Sequence, residues 1–206
     1  MHEKNYTDNL ENIMFKLNGI EDDVDAEKVI NAINQPEFFR DFGEALIGLI
    51  QKKYGEVDAR KLLMDNAKTK GIIFNRNTVN NWFAGGRPKK GEQSREHMFM
   101  IAFALDFSLE ETKELFIKVY LDRPFNLRDR KEFIFFYCIR EGHSYKHAMM
   151  LLEQLDLNNE QCNEETLVTR MMEQDLLLLK DDIEVLEYIK SHPHNFQIYT
   201  ISAKKI

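Results

Sequence analysis

Cysteine is scarce. Cys138 sits in an aromatic run and Cys162 in a polar segment, so neither a disulfide framework nor a cysteine-built zinc site is expected. Proline and glycine are sparse too, at 4 and 9 in 206 residues. Long amphipathic stretches therefore run without a helix breaker, and the natural class is all-α. No window approaches the roughly 20 consecutive apolar residues of a membrane span, so no membrane partner is expected. The opening Met-His-Glu-Lys-Asn-Tyr lacks the basic-then-apolar pattern of a secretory leader, and a cytoplasmic location is the expectation.

Signals of enzyme chemistry are equally thin. There is no Gly-rich phosphate loop. Glu110-Glu111, Asp181-Asp182 and Asp22-Asp23 read as charge pairs on polar faces rather than as an acid/base dyad in a shielding pocket. His143 and His147 have the four-residue spacing that places two imidazoles on one helix face. No third ligand is evident beside them, so they read as a solvated pair. No catalytic residue, metal or cofactor is expected.

What the chain does have is a hydrophobic fraction of 43%, enough for a proper core, and an uneven charge. The net charge is −7. From Arg60 to Arg95, however, nine basic residues face only Asp65 and Glu92, a balance of +7 that leaves −14 for the rest. Such polarity lets one basic face approach phosphates while the acidic bulk turns away.

Inside that window lies Asn75 to Pro88, Asn-Arg-Asn-Thr-Val-Asn-Asn-Trp-Phe-Ala-Gly-Gly-Arg-Pro. Asn75 suits an N-cap, and Val79 and Trp82 share one face of the helix that follows. Gly85 or Gly86 can take the left-handed stop, and Pro88 cannot continue a helix. Arg76, Asn77, Thr78, Asn80 and Asn81 are left on the other side. Asn and Thr are poor helix formers, so an exposed face built of them costs stability. They suit base edges instead: Asn pairs bidentately with adenine, Arg with guanine, and Thr meets a thymine methyl. A polar turn between core helices is the plainer reading.

Along the chain, residues 1–35 read as an N-terminal helical arm with two weak periodic signals. Pro36 suits a first helical turn, followed by Phe38, Phe39, Phe42, Leu46, Leu49 and Ile50 as an apolar stripe. Gly55 ends it, Asp58 opens the next helix, and Gly71 closes that. After Pro88 a basic loop, Lys89 to Ser94, leads to a helix bearing Met98, Phe99, Ile101 and Leu105. Ser108 with Glu111 is a capping-box signature for a fifth helix reaching Tyr120. Asp122-Arg123-Pro124 looks like a hinge. Beyond it come an apolar helix around Phe133–Ile139, another over Tyr145–Leu155, and a polar linker from Asn158 to Asn163. A long pattern follows from Glu164, restarted at Asp181 and stopped near His192-Pro193. Phe196 to Ile201 alternates like a short strand.

The segment from about Phe38 to Phe116 resembles the helix-turn-helix domain of the phage-repressor regulators (lambda repressor/Cro, Xre-type). Asn75, Thr78-Val79, Trp82, Gly85 and Arg87-Pro88 stand where that family's third-helix signature belongs. Ala67 and Gly71 fit its second helix, and Ile101 to Ser108 resembles its segment of apolar residues, Ala-Leu and a short capped turn. Two departures stand out. Three residues, Ile72 to Phe74, separate Gly71 from the cap where the family usually has one, and Phe83 replaces a commonly charged residue.

The resemblance implies a five-helix domain over 36–121, followed by a helical region, 122–206, that dimerises or receives a signal from a protein partner or small effector. It implies double-stranded DNA as partner, with helix 3, about 76–83, in the major groove. Arg76, Asn77, Asn80 and Asn81 are then the base-edge candidates. Asn75 and Thr78 are candidates for holding phosphates, and Arg87, Lys89, Lys90, Lys68 and Lys70 supply backbone charge, with a log–log salt slope of about −4 to −5. One such domain reads few bases, so a homodimer on a pseudo-palindrome is expected. The alternative is a helical interaction module, inhibitor or adaptor, using its acidic surface.

Overall fold

In the computed structural model, which describes residues 41–155 and 169–196, every regular element is a helix. The expected N-terminal arm, Phe38 and Phe39, the polar linker and the alternating segment after Phe196 lie outside the described residues.

Helix α1 (Phe42–Tyr54) starts where the Asp41 carboxylate accepts the Glu44 N–H at 2.7 Å. Pro36, expected in a first helical turn, lies outside the described residues. Phe42, Leu46, Leu49 and Ile50 form its buried stripe. Asp58 caps α2 (Ala59–Thr69), which buries Leu63 and Ala67. Helix α3 (Arg76–Phe83) follows the Ile72–Phe74 crossing. Helix α4 (Glu92–Ala104) follows its N-cap Gly91 and takes in the last three residues of the predicted loop, and Met98 to Ala104 are all buried. A helix apolar on all sides belongs at the centre, and α4 touches α2, α5, α6 and α7.

The capping box at Ser108 and Glu111 opens α5 (Leu109–Glu114), with both reciprocal bonds made. The chain then widens into a π-helical segment, Leu115–Tyr120, which packs on α1 and α4. It ends at Leu121 in the left-handed region, φ 60°. Beyond lie α6 (Arg130–Arg140), α7 (Tyr145–Gln154), α8 (Thr169–Leu178), α9 (Asp182–Ser191) and a short 3₁₀ turn, Pro193–Asn195. In α6 every residue from Glu132 to Ile139 is buried, against α4, α7 and α9. The buried apolar side chains form one connected core running from Phe42 to Phe196.

The stretch around Asp122-Arg123-Pro124 is tied down by Arg95. Its guanidinium grips Glu132 at 2.6 and 2.7 Å, meets Asp122 at 2.9 Å and lies 4.8 Å over the Phe116 ring. Glu132 also accepts the Asn126 N–H at 2.6 Å. Burial alone would weaken the guanidinium's charge, but the Glu132 and Asp122 carboxylates outweigh it and hold Arg95 firmly protonated. Arg95 thus leaves the basic window and joins α4 to α6.

Replacing Glu132 with Ala strands a buried cation. The expected loss, read from urea unfolding, is about 3–5 kcal/mol, larger than any surface pair is worth. A loss below about 1 kcal/mol contradicts the internal role of this pair.

Candidate nucleic-acid interface

Eight residues make a marginal helix by themselves, and α3 is rich in residues of poor propensity. Its ends and inner face hold it. Asn75 Oδ1 accepts the N–H of Asn77 at 2.9 Å and of Thr78 at 3.4 Å. At the far end Gly85, with φ 92°, takes the left-handed position. There the Gly86 N–H reaches Asn81 O at 2.8 Å and the Gly85 N–H reaches Trp82 O at 3.2 Å, the paired closure of a Schellman motif.

Inward, Val79 and Trp82 are 1% and 2% exposed. The indole packs among Phe42, Phe74 and His97, with ring centroids 5.9, 5.9 and 5.4 Å away. The α1 backbone passes so close that a Cβ on Gly43 would lie 2.6 Å from Trp82 O. Only glycine allows that crossing. Outward, Arg76, Asn77, Asn80 and Asn81 are exposed, and Thr78 is half-buried.

These side chains are not equivalent. Arg76 and Asn77 project beside the cap. Asn80 Oδ1 accepts from Arg60 Nη1 at 3.0 Å, and the Asn81 amide folds over Gly86, where a Cβ would strike it. Asn75 already spends its side-chain oxygen on the cap. Among the expected charge contacts, Lys68, Lys89 and Lys90 are exposed and form no ion pair with another described residue, while Arg87 is half-buried. Lys70 is differently placed. Its ammonium bonds the carbonyls of Phe103 and Ala104 at 3.0 Å and pairs with Asp106 at 2.6 Å. Facing the carbonyl end of α4 is a favourable site for a cation, so Lys70 is drawn away from any ligand on the α3 face.

The crossing Ile72–Phe74 buries two pegs, Ile72 and Phe74, and leaves Ile73 86% exposed. A cleft of about 630 Å³ opens there between α2 and α3, lined by the cations Arg60, Lys61, Lys68 and Arg76 and by the carboxylates Asp58 and Asp65, among others. Arg60 and Lys61 fall in the basic window but have no assigned role in the sequence-based expectations. Compared with known proteins, the chain matches no family model, no curated protein and no solved structure.

The histidine pair also differs from its expected form. Helix α7 starts only at Tyr145, so His143 precedes the helix rather than sharing a face with His147. Asp182, which had read as half of a surface charge pair, stands beside both imidazoles.

His97 links α3 to pH. Burial lowers its pKa below the ordinary 6.5, against a smaller upward pull from Glu96. The folded state therefore holds His97 neutral while the unfolded chain takes up a proton, so its stabilisation is full above 6.5 and is lost as the pH falls towards the lower folded value. Thermal unfolding should show stability falling as the pH drops below 6.5, with a shallower fall in His97→Gln. Identical slopes in the two proteins contradict this assignment.

Proposed function

We propose that the chain is a sequence-specific DNA-binding transcriptional regulator of the phage-repressor kind, in which α1 to α5 make the five-helix domain, α2 and α3 the helix-turn-helix, and α3 the element that enters the major groove. The observation that carries this reading is a helix anchored on one side by Val79 and Trp82 whose other side exposes Arg76, Asn77, Asn80 and Asn81. Unpaired cations support it. Several lysines elsewhere are engaged, Lys52 with Glu114, Lys53 with Glu111, Lys113 with Glu110 and Lys131 with Glu96, whereas Lys146, Lys180 and Lys190 make no ion pair with a described residue. Arg76, Lys68, Lys89 and Lys90 make no ion pair with any described residue, as expected of groups that await phosphates.

In this reading Arg76 and Asn77 lead into the groove, since a recognition helix contacts bases from its N-terminal residues. Asn81 reads a base once its amide leaves Gly86, and Asn80 does so in concert with Arg60. Lys68, Lys89, Lys90 and Arg87 hold the backbone. With Lys70 committed elsewhere, four contacts give a log–log salt slope of about −3 to −4 per subunit. The wide Ile72–Phe74 turn then puts the cleft and its cations Arg60 and Lys61 along the phosphate path. A homodimer completes the site, and Leu177, Leu178 and Ile183, at 57%, 73% and 67% exposed, supply apolar surface for it. The interaction-module alternative has less to stand on, because Arg76, Lys68, Lys89 and Lys90 make no ion pair with a described acidic residue.

Fluorescence anisotropy with duplex DNA at rising salt tests the proposal. Native protein is expected to bind with the slope above, Lys90→Ala to weaken every sequence alike, and Arg76→Ala to cost about 1–3 kcal/mol on the preferred site only. No binding at low salt, or a native protein indifferent to salt, overturns it.

A further inference from the structure

Away from α3, three potential ligands converge from separate chain positions, each next to a capped helix end. The turn that closes α6 fixes His143, whose N–H bonds Cys138 O at 2.8 Å. Ser144 then caps α7 by accepting the His147 N–H at 3.1 Å, which sets His147 in the first turn. Asp181 caps α9 through the Glu184 N–H at 2.9 Å and leaves Asp182 as its first helical residue. The outcome is that His147 Nε2 lies 2.9 Å from Asp182 Oδ2 and His143 Nε2 lies 3.8 Å from Asp182 Oδ1, all three groups half-buried.

A plain histidine–carboxylate ion pair would also bring these groups together. Three features favour a shared ligand instead. First, His147 Nε2 is buried yet makes no aligned hydrogen bond, although a carboxylate oxygen is at hydrogen-bonding distance. Second, donor atoms around a tetrahedral zinc ion, with bonds of about 2.0 Å, stand roughly 3.3 Å apart; His147 Nε2 and Asp182 Oδ2 are 2.9 Å apart, and one ligand atom from each of the three residues lies within 4.8 Å of the others. Third, Tyr137 Oη donates to Asp182 Oδ1 at 2.9 Å, the outer hydrogen bond that orients a metal-binding carboxylate. The imidazoles, 4.4 Å apart between centroids, are also crowded for two cations.

We propose that His143, His147 and Asp182 bind one divalent ion of the zinc class, which braces α9 against the α6–α7 junction. Two imidazoles and one carboxylate suit zinc, cobalt or nickel better than the all-oxygen preference of calcium or magnesium. Three protein ligands leave a fourth position for water. The inference is independent of DNA binding, since it uses no residue of α3.

The test titrates the full chain with Zn²⁺ and, as a spectroscopic probe, Co²⁺. One ion per chain is expected, with visible Co²⁺ bands of four-coordinate intensity and a saturating Zn²⁺ rise in Tm of about 5 °C or more. His147→Gln and Asp182→Asn should abolish both signals, while His192→Gln should leave them intact. Should the variants unfold, native protein decides: Zn²⁺ must protect His143 and His147, but not His192, from carbethoxylation. Absence of saturable binding, undiminished binding in folded variants, or no selective protection overturns the proposal.

Discussion

The burial of Trp82 is the constraint on which the rest of the molecule's exposed face depends. A cap such as Asn75 is worth about 1 kcal/mol, whereas truncating a buried Trp costs about 3–5 kcal/mol. Eight residues rich in Asn, with Thr and no Ala, Leu or Glu, would not stay helical on propensity. The indole, wedged among Phe42, Phe74 and His97, supplies the missing stability from tertiary packing. Gly43 permits it by letting α1 cross against the α3 backbone. With the inner side settled in this way, the outer side is free to carry residues that suit a ligand better than a helix.

Charge follows the same division between inward and outward. Arg95 is consumed by Glu132 and Asp122, and Lys70 by the end of α4 and Asp106, so two of the nine basic residues in the window hold the fold. Arg76, Lys68, Lys89 and Lys90 remain exposed. A net charge of −7 is thus compatible with a cationic approach surface, although Asp58 and Asp65 line the α2–α3 cleft, because many acidic groups elsewhere already have partners.

Local features were legible in the sequence. Asn75, Asp58, the Ser108–Glu111 box and Asp181 all cap helices as their residue types suggest, since capping depends on neighbours within three residues. The buried runs of α4 and α6 were legible for the same reason. Long-range pairing was not. Nothing in the spacing joins Arg95 to Glu132, 37 residues on, or Lys70 to the carbonyls of Phe103 and Ala104. The metal-type cluster was hidden likewise, because Asp182 reaches His143 and His147 only once α9 packs on α6 and α7. The π-helical turn after Glu114 has no composition signal that separates it from an ordinary helix. Nor does the wide Ile72–Phe74 crossing announce its cleft, which depends on which of three apolar residues turn inward.

Selection from a random-sequence duplex pool tests the central claim, that the outward face of α3 reads DNA, most directly. The account predicts that native protein enriches a short motif with approximate two-fold symmetry. A folded variant carrying Arg76→Ala and Asn77→Ala, with Trp82 untouched, should retain DNA but enrich no motif. A native protein that enriches nothing, or a variant that enriches the same motif, contradicts the account.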